Sequence, residues 1–248
     1  MKKIIYFVIA LVISTSNAMA FEFENEPEAG LSFMGLFGMN VSKLQNSGYS
    51  AKVGAMMGIR ADYMLPKAHG TYITAGLDWT MKGGRRTDIL EVIDNVPYES
   101  SRKYALHYIE IPIRVGFRYN VLENLGLYGE LGPYFAVGVG GRHKCSIDGD
   151  GPNIRSREDE LSFNAFKNLE YDANYPDRLP FQRWDAGISF RIGAEYEHHY
   201  NLMIGCDWGL ADIYRTNLRD TYAVAHPNGE RLPKVKNFNF SITVGYRF

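Results

Sequence analysis

Residues 238–248 read FNFSITVGYRF. Every second residue is apolar or aromatic: Phe238, Phe240, Ile242, Val244, Tyr246 and Phe248. Between them lie Asn239, Ser241, Thr243, Gly245 and Arg247. A period of two is the signature of a strand with one apolar face and one polar face. Chain ends usually fray and lose their pattern. A stretch that keeps its alternation to the last residue is expected to be held on both edges, as the closing strand of a barrel would be.

The same alternation recurs upstream. One face carries Leu31, Phe33, Phe37, Met39 and Val41, and the next carries Val53, Met57, Ile59 and Tyr63. It returns at Ile73, Leu77 and Trp79, and again at Ile109, Ile111, Ile113, Val115 and Phe117. Further stretches run over 125–139, 184–196 and 200–210. Together they predict about eight strands, each of the ~9–11 residues that a tilted membrane strand needs. The expected fold is an all-β, transmembrane, antiparallel up-and-down barrel.

The opposite faces carry charge at mid-strand. Seven bases (Lys52, Arg60, Lys82, Arg114, Arg118, Arg191 and Arg247) meet seven acids (Asp62, Asp78, Glu110, Glu130, Asp185, Glu195 and Asp207). A narrow barrel turns such a face inward and fills its lumen with it. Balanced charge suits a lumen closed by its own ion pairs, whereas an excess of one sign suits an ion-selective pore. Arg60, Asp62, Asp78, Glu110, Arg114, Arg118, Glu130, Asp185, Arg191, Glu195, Asp207 and Arg247 are therefore the expected lumen network.

Connection lengths alternate. The short ones are 66–70, 120–124 and 197–199, and the long ones are 42–50, 83–102, 141–182 and 212–237. Outer-membrane barrels pair short periplasmic turns with long extracellular loops. Both termini are then expected in the periplasm.

The opening residues MKKIIYFVIALVISTSNAMA combine Lys2 and Lys3 with a short apolar run and the small-residue pattern Ala18-Met19-Ala20. This reads as a signal peptide over 1–20, followed by one barrel domain over 21–248. The formal net charge of the 248 residues is −1, which offers no electrostatic footprint for nucleic acid. Two cysteines imply no disulfide framework.

Three stretches resemble the PorT-like family of small outer-membrane barrels: YIEIPIRVGFRY at 108–119, LGLYGELGPYFAVGVGG at 125–141, and the terminal YRF. Tyr108 to Pro112 matches the family's strand of tyrosine, apolar, glutamate, apolar, proline. The resemblance implies an outer-membrane barrel and carries no activity with it. The ending also resembles the signal read by the barrel assembly machinery, on Phe240, Ile242, Val244, Tyr246 and Phe248. Pro112 would remove a ladder donor and is expected to mark a bulge or kink.

No catalytic, cofactor or metal site is expected. His107 has Ala105 and Ile109 as same-face neighbours, with no serine beside it. The long loop over 141–182 reads as a helix starting near Ser156, with Phe166, Tyr171, Tyr175 and Phe181 as a candidate partner-binding surface. The functional expectation is a non-enzymatic barrel with a closed lumen, in a structural, binding or accessory role. Its partners would be outer-membrane lipid, the assembly machinery during insertion, and an envelope protein at the loops. The alternatives are a small transport pore and a lipid-modifying enzyme.

Overall fold

The computed structural model describes residues 29–168, 179–226, 228 and 231–248. The segment read as a signal peptide lies outside them. The long strands are β1 (Gly30–Gln45), β2 (Lys52–Met64), β3 (Thr71–Ile93), β4 (Val96–Leu122) and β5 (Leu125–Ile147). Helix α1 (Pro152–Leu161) and the two-residue β6 (Phe163–Asn164) follow. The chain then forms β7 (Trp184–Tyr196), β8 (Tyr200–Gly209), α2 (Thr216–Ala225) and β9 (Lys236–Arg247).

Eight of these strands form a ring. Each pairs antiparallel with its neighbour, with β7 following β5 directly, and β9 returns to β1. The closing register runs from Met34 opposite Arg247 to Gln45 opposite Lys236. Phe248 adds one more bond, donating its N–H to the Phe33 carbonyl at 2.9 Å. The terminal alternation therefore persists because both edges of β9 are paired, with β1 and with β8, which closes the ring.

The barrel is apolar outside and polar inside. Phe37, Ile59 and Trp184 are 66%, 64% and 67% exposed, while charged lumen residues are buried. Water would penalise such an outer surface, and hydrocarbon favours it. Tyr63, Tyr119, Tyr196, Tyr200 and Tyr246 ring the end with the short turns. Trp79, Trp184 and Trp208 ring the other end. These are the two aromatic girdles of a membrane barrel.

Close strand approach requires glycine at Gly132, where a Cβ would sit 2.1 Å from the Ile113 carbonyl oxygen. The β4–β5 register nevertheless holds through Pro112, which faces Tyr134. The expected bulge lies elsewhere. His107 faces Gly140 and Tyr108 faces Gly138, so Val139 is the extra residue.

Two further expectations need correction. Residues 83–102 are not a loop. Strands β3 and β4 continue beyond the membrane band as one long hairpin, turning at Asp94 and Asn95 with φ of 51° and 64°. Strand β5 extends alongside to Ile147. Alternation weakens there because outward residues such as Arg85 and Lys103 no longer face hydrocarbon. Helix α1 also starts earlier than Ser156. Pro152 stands in its first turn, where a missing N–H costs no helical bond. Ile154 and Leu161 pack against Cys145 and Ile147 on the hairpin extension. Phe166 lies beyond the helix.

Candidate functional site

The inward residues of the strands form three stacked tiers of charge. At the end with the short turns, Arg247 donates Nη1 to Asp62 at 2.8 Å and Nε to Glu195 at 2.7 Å. The same guanidinium reaches Ser32 Oγ. Arg118 lies 3.7 Å from Asp62 and 3.6 Å from Glu195. This tier joins β2, β4, β7 and β9, so its contacts run across the lumen as well as around it.

The middle tier centres on Glu130. Arg114 donates to it at 3.0 Å, Arg60 at 3.4 Å, and the Tyr72 hydroxyl at 2.9 Å. Arg114 also donates Nε to Ser189 Oγ at 3.0 Å. Beside this group, Arg191 pairs with Asp207 at 2.8 Å. Asp207 further accepts from Ser189 and Asn239. Asp78 is buried in this tier among the charges of Arg60, Arg114 and Arg191.

The upper tier centres on Lys82. It pairs with Glu110, and with Asp185 at 3.4 Å. Its ammonium stands 4.6 Å from the centre of the Tyr134 ring. Asp185 also accepts from Tyr134 and Asn237. All twelve residues read as a lumen network are buried inside the barrel. The hub Lys82 was legible only as one more base on the inward face. Tyr72, Tyr134, Ser189 and Asn237 share the inward parity, but nothing local marks them as partners of the lumen charges.

Above Lys82 the mouth changes character. A buried apolar cluster fills it, built from Leu44, Tyr104, Leu106 and Tyr108 of the barrel, with Phe166, Phe181, Ile213 and Leu218 from the connections. Phe166 meets Tyr108 edge to face at 5.8 Å, and Phe181 stacks on Tyr214 at 5.3 Å. Arg215 pins both segments, donating to the Phe166 carbonyl at 2.9 Å and the Phe181 carbonyl at 3.2 Å. Phe166 and Phe181, read as a partner surface, are only 3% and 1% exposed. Burial of their apolar area in the mouth outweighs display to solvent. Tyr171 and Tyr175 lie outside the described residues.

Phe240, Ile242, Val244 and Tyr246, read from the sequence as an assembly signal, lie on the outward face of β9. Phe248 is 77% exposed, with its ring 5.3 Å from Tyr246. His107 is also outward-facing, stacked 5.5 Å from Trp79 in the upper girdle. Both cysteines are free thiols.

Residues 19–215 match the family model described as outer membrane protein beta-barrel domain. The chain belongs to that family. It is an integral barrel of the bacterial outer membrane, and the short turns mark its periplasmic end. Among solved structures it is similar to Ail, the attachment invasion locus protein of Yersinia pestis. That match has 14% identity and a TM-score of 0.38, covering 89% of this chain and 100% of that one. Neisserial surface protein A matches at 12% identity and a TM-score of 0.41, covering 88% and 99%. OprG from Pseudomonas aeruginosa matches at 12% identity and a TM-score of 0.38, covering 89% and 97%. No curated protein matches the chain.

Proposed function

We propose that this protein is a closed, non-enzymatic barrel of the PorT-like kind, acting through its extracellular surface as a binding or accessory component of an envelope assembly. The observation that carries the reading is the set of ties between strands that are not neighbours. Arg60 on β2 meets Glu130 on β5, Lys82 on β3 meets Asp185 on β7, and Arg247 on β9 meets Asp62 on β2. Each crosses the space that a conducting solute would use. The apolar mouth cluster lies above them as a second closure. Among the described residues, the β3–β4 hairpin offers an apolar surface to another molecule, with Leu90 and Val92 70% and 66% exposed.

The test has two parts. In planar bilayers, the purified barrel gives no steady conductance. Discrete, voltage-stable steps would replace this reading with that of a small channel. In intact cells, a photocrosslinker at Leu90 captures one recurrent envelope protein, while the same probe at Phe166 captures only this chain. Equal capture of lipid alone from both positions would count against a docking role for the hairpin.

A further inference from the structure

A band of cations stands on the outward face just beyond the upper girdle. It comprises Lys43 on β1, Arg85 on β3, Lys103 on β4, and Arg142 and Lys144 on β5, all exposed. Arg85 pairs directly with Lys103, and Lys103 with Lys144, so three cations share one rung across three strands. Arg142 is one outward rung lower, opposite Ala105. Directly cross-strand like charges are destabilising. None of the five forms a salt bridge among the described residues. The next outward rung up is Ser101 opposite Ser146, and the first acids beyond the band are Asp88, at the register shift in β3, and Glu99 on β4.

The height of the band identifies what would neutralise it. Arg142 is two residues beyond Gly140, which pairs with the girdle residue His107, and Lys103 is four residues beyond His107 itself. At ~3.3 Å per residue and a tilt of about 40°, the cations stand roughly 5–10 Å above the girdle. The polar headgroup layer is about 5–8 Å thick on each side of a bilayer, and long basic side chains reach toward it. We infer that Arg85, Lys103, Arg142 and Lys144, supported by Lys43, form a binding site for the phosphate groups of anionic lipids in the outer leaflet. The anion supplies the countercharge that the protein withholds, and it seats the barrel at a defined depth.

The full-length protein, reconstituted in phosphatidylcholine nanodiscs, would be probed with spin-labelled phosphatidic acid and spin-labelled phosphatidylcholine. The readout is the fraction of each lipid held immobile at the barrel surface. Phosphatidic acid should be preferred, by roughly fivefold per engaged cation at low salt. The preference should fall in the triple variant Arg85→Gln, Lys103→Gln, Lys144→Gln, and fall partway in Lys103→Gln alone. Lys67→Gln, in a periplasmic turn, should keep it. Heat-modifiable migration on gels verifies that each variant is folded, and Lys103→Gln serves if the triple variant is not. Equal immobilisation of both lipids by the wild type would overturn the inference. So would a preference that survives the substitutions, or one that Lys67→Gln lowers equally. Loss of the preference to inorganic phosphate at constant ionic strength would make this a soluble-anion site and reject the lipid assignment.

Discussion

Arg247 on β9 reaches past β1 to place its Nη1 2.8 Å from Asp62 Oδ2 on β2. Its Nε meets Glu195 on β7 at 2.7 Å. One side chain near the end of the sequence thus holds two acids from strands on either side of the closure. The backbone ladder between β1 and β9 closes the ring, and this guanidinium braces it from within. Replacing Arg247 with Met leaves two buried carboxylates facing each other, with Arg118 only at 3.6–3.7 Å. Removing one partner of a buried pair costs about 3–5 kcal/mol. Reversible urea unfolding in lipid vesicles should register a loss of that size. Adding Asp62→Asn and Glu195→Gln should restore part of it. An unchanged midpoint for Arg247→Met would show that the lower tier contributes no stability.

Phe166 closes the mouth against Tyr108. Phe166→Ala removes a buried ring, a change that typically costs about 3–5 kcal/mol. The third extracellular connection should then be cut faster by protease, while the barrel strands stay protected. Conductance should stay absent, because the three charged tiers below are untouched. Ion flow in this variant would make the apolar plug the principal barrier.

Cys145 sits on the extracellular extension of β5, 2% exposed, with its N–H donated to Ser162 Oγ. Burial pushes its thiol pKa up, and nearby Arg102 only partly offsets this. The thiol should therefore stay protonated at neutral pH. In a Cys206→Ser background, maleimide should label the folded protein slowly and the unfolded protein fast. The folded rate should climb as pH rises and thiolate forms. Fast labelling at neutral pH would mean that α1 does not cover this face.

Phe248 makes one backbone bond and leaves its ring 77% exposed. Its deletion should change the stability of the assembled barrel by less than about 1 kcal/mol, the scale of one net hydrogen bond. Its effect should fall on insertion. Cells producing the truncated chain should accumulate unassembled protein in the periplasm, as read by heat-modifiability. Normal assembly of the truncated chain would rule out Phe248 as part of the recognition signal.

The barrel was legible in particular residues. The alternation at Phe240, Ile242, Val244 and Tyr246 gave the direction of the outward face, and Asp207, Glu130 and Arg114 on the other parity gave the lumen. A strand's side-chain period is a local property, written residue by residue, and it survives whatever the partner strand is. The stretch 83–102 reads as a loop because Arg85 and Lys103, outward just above the bilayer, are charged, which erases that local cue where the strands leave the membrane. Helix α2 was missed because only Leu218 of its residues is buried, leaving almost no apolar face to detect.

What the sequence alone determined is the class of object: about eight strands, apolar outside, charged inside, with long loops at one end. Only the tertiary structure decided which charges meet. Lys82 and Asp185 are 103 residues apart and sit on strands separated by two others. Their meeting depends on the stagger between successive strands and on a lumen narrow enough for side chains to span. The same stagger brings Arg85, Lys103 and Lys144 onto one rung. Register is set by the accumulated pairing of every strand around the ring, so no stretch of sequence contains it.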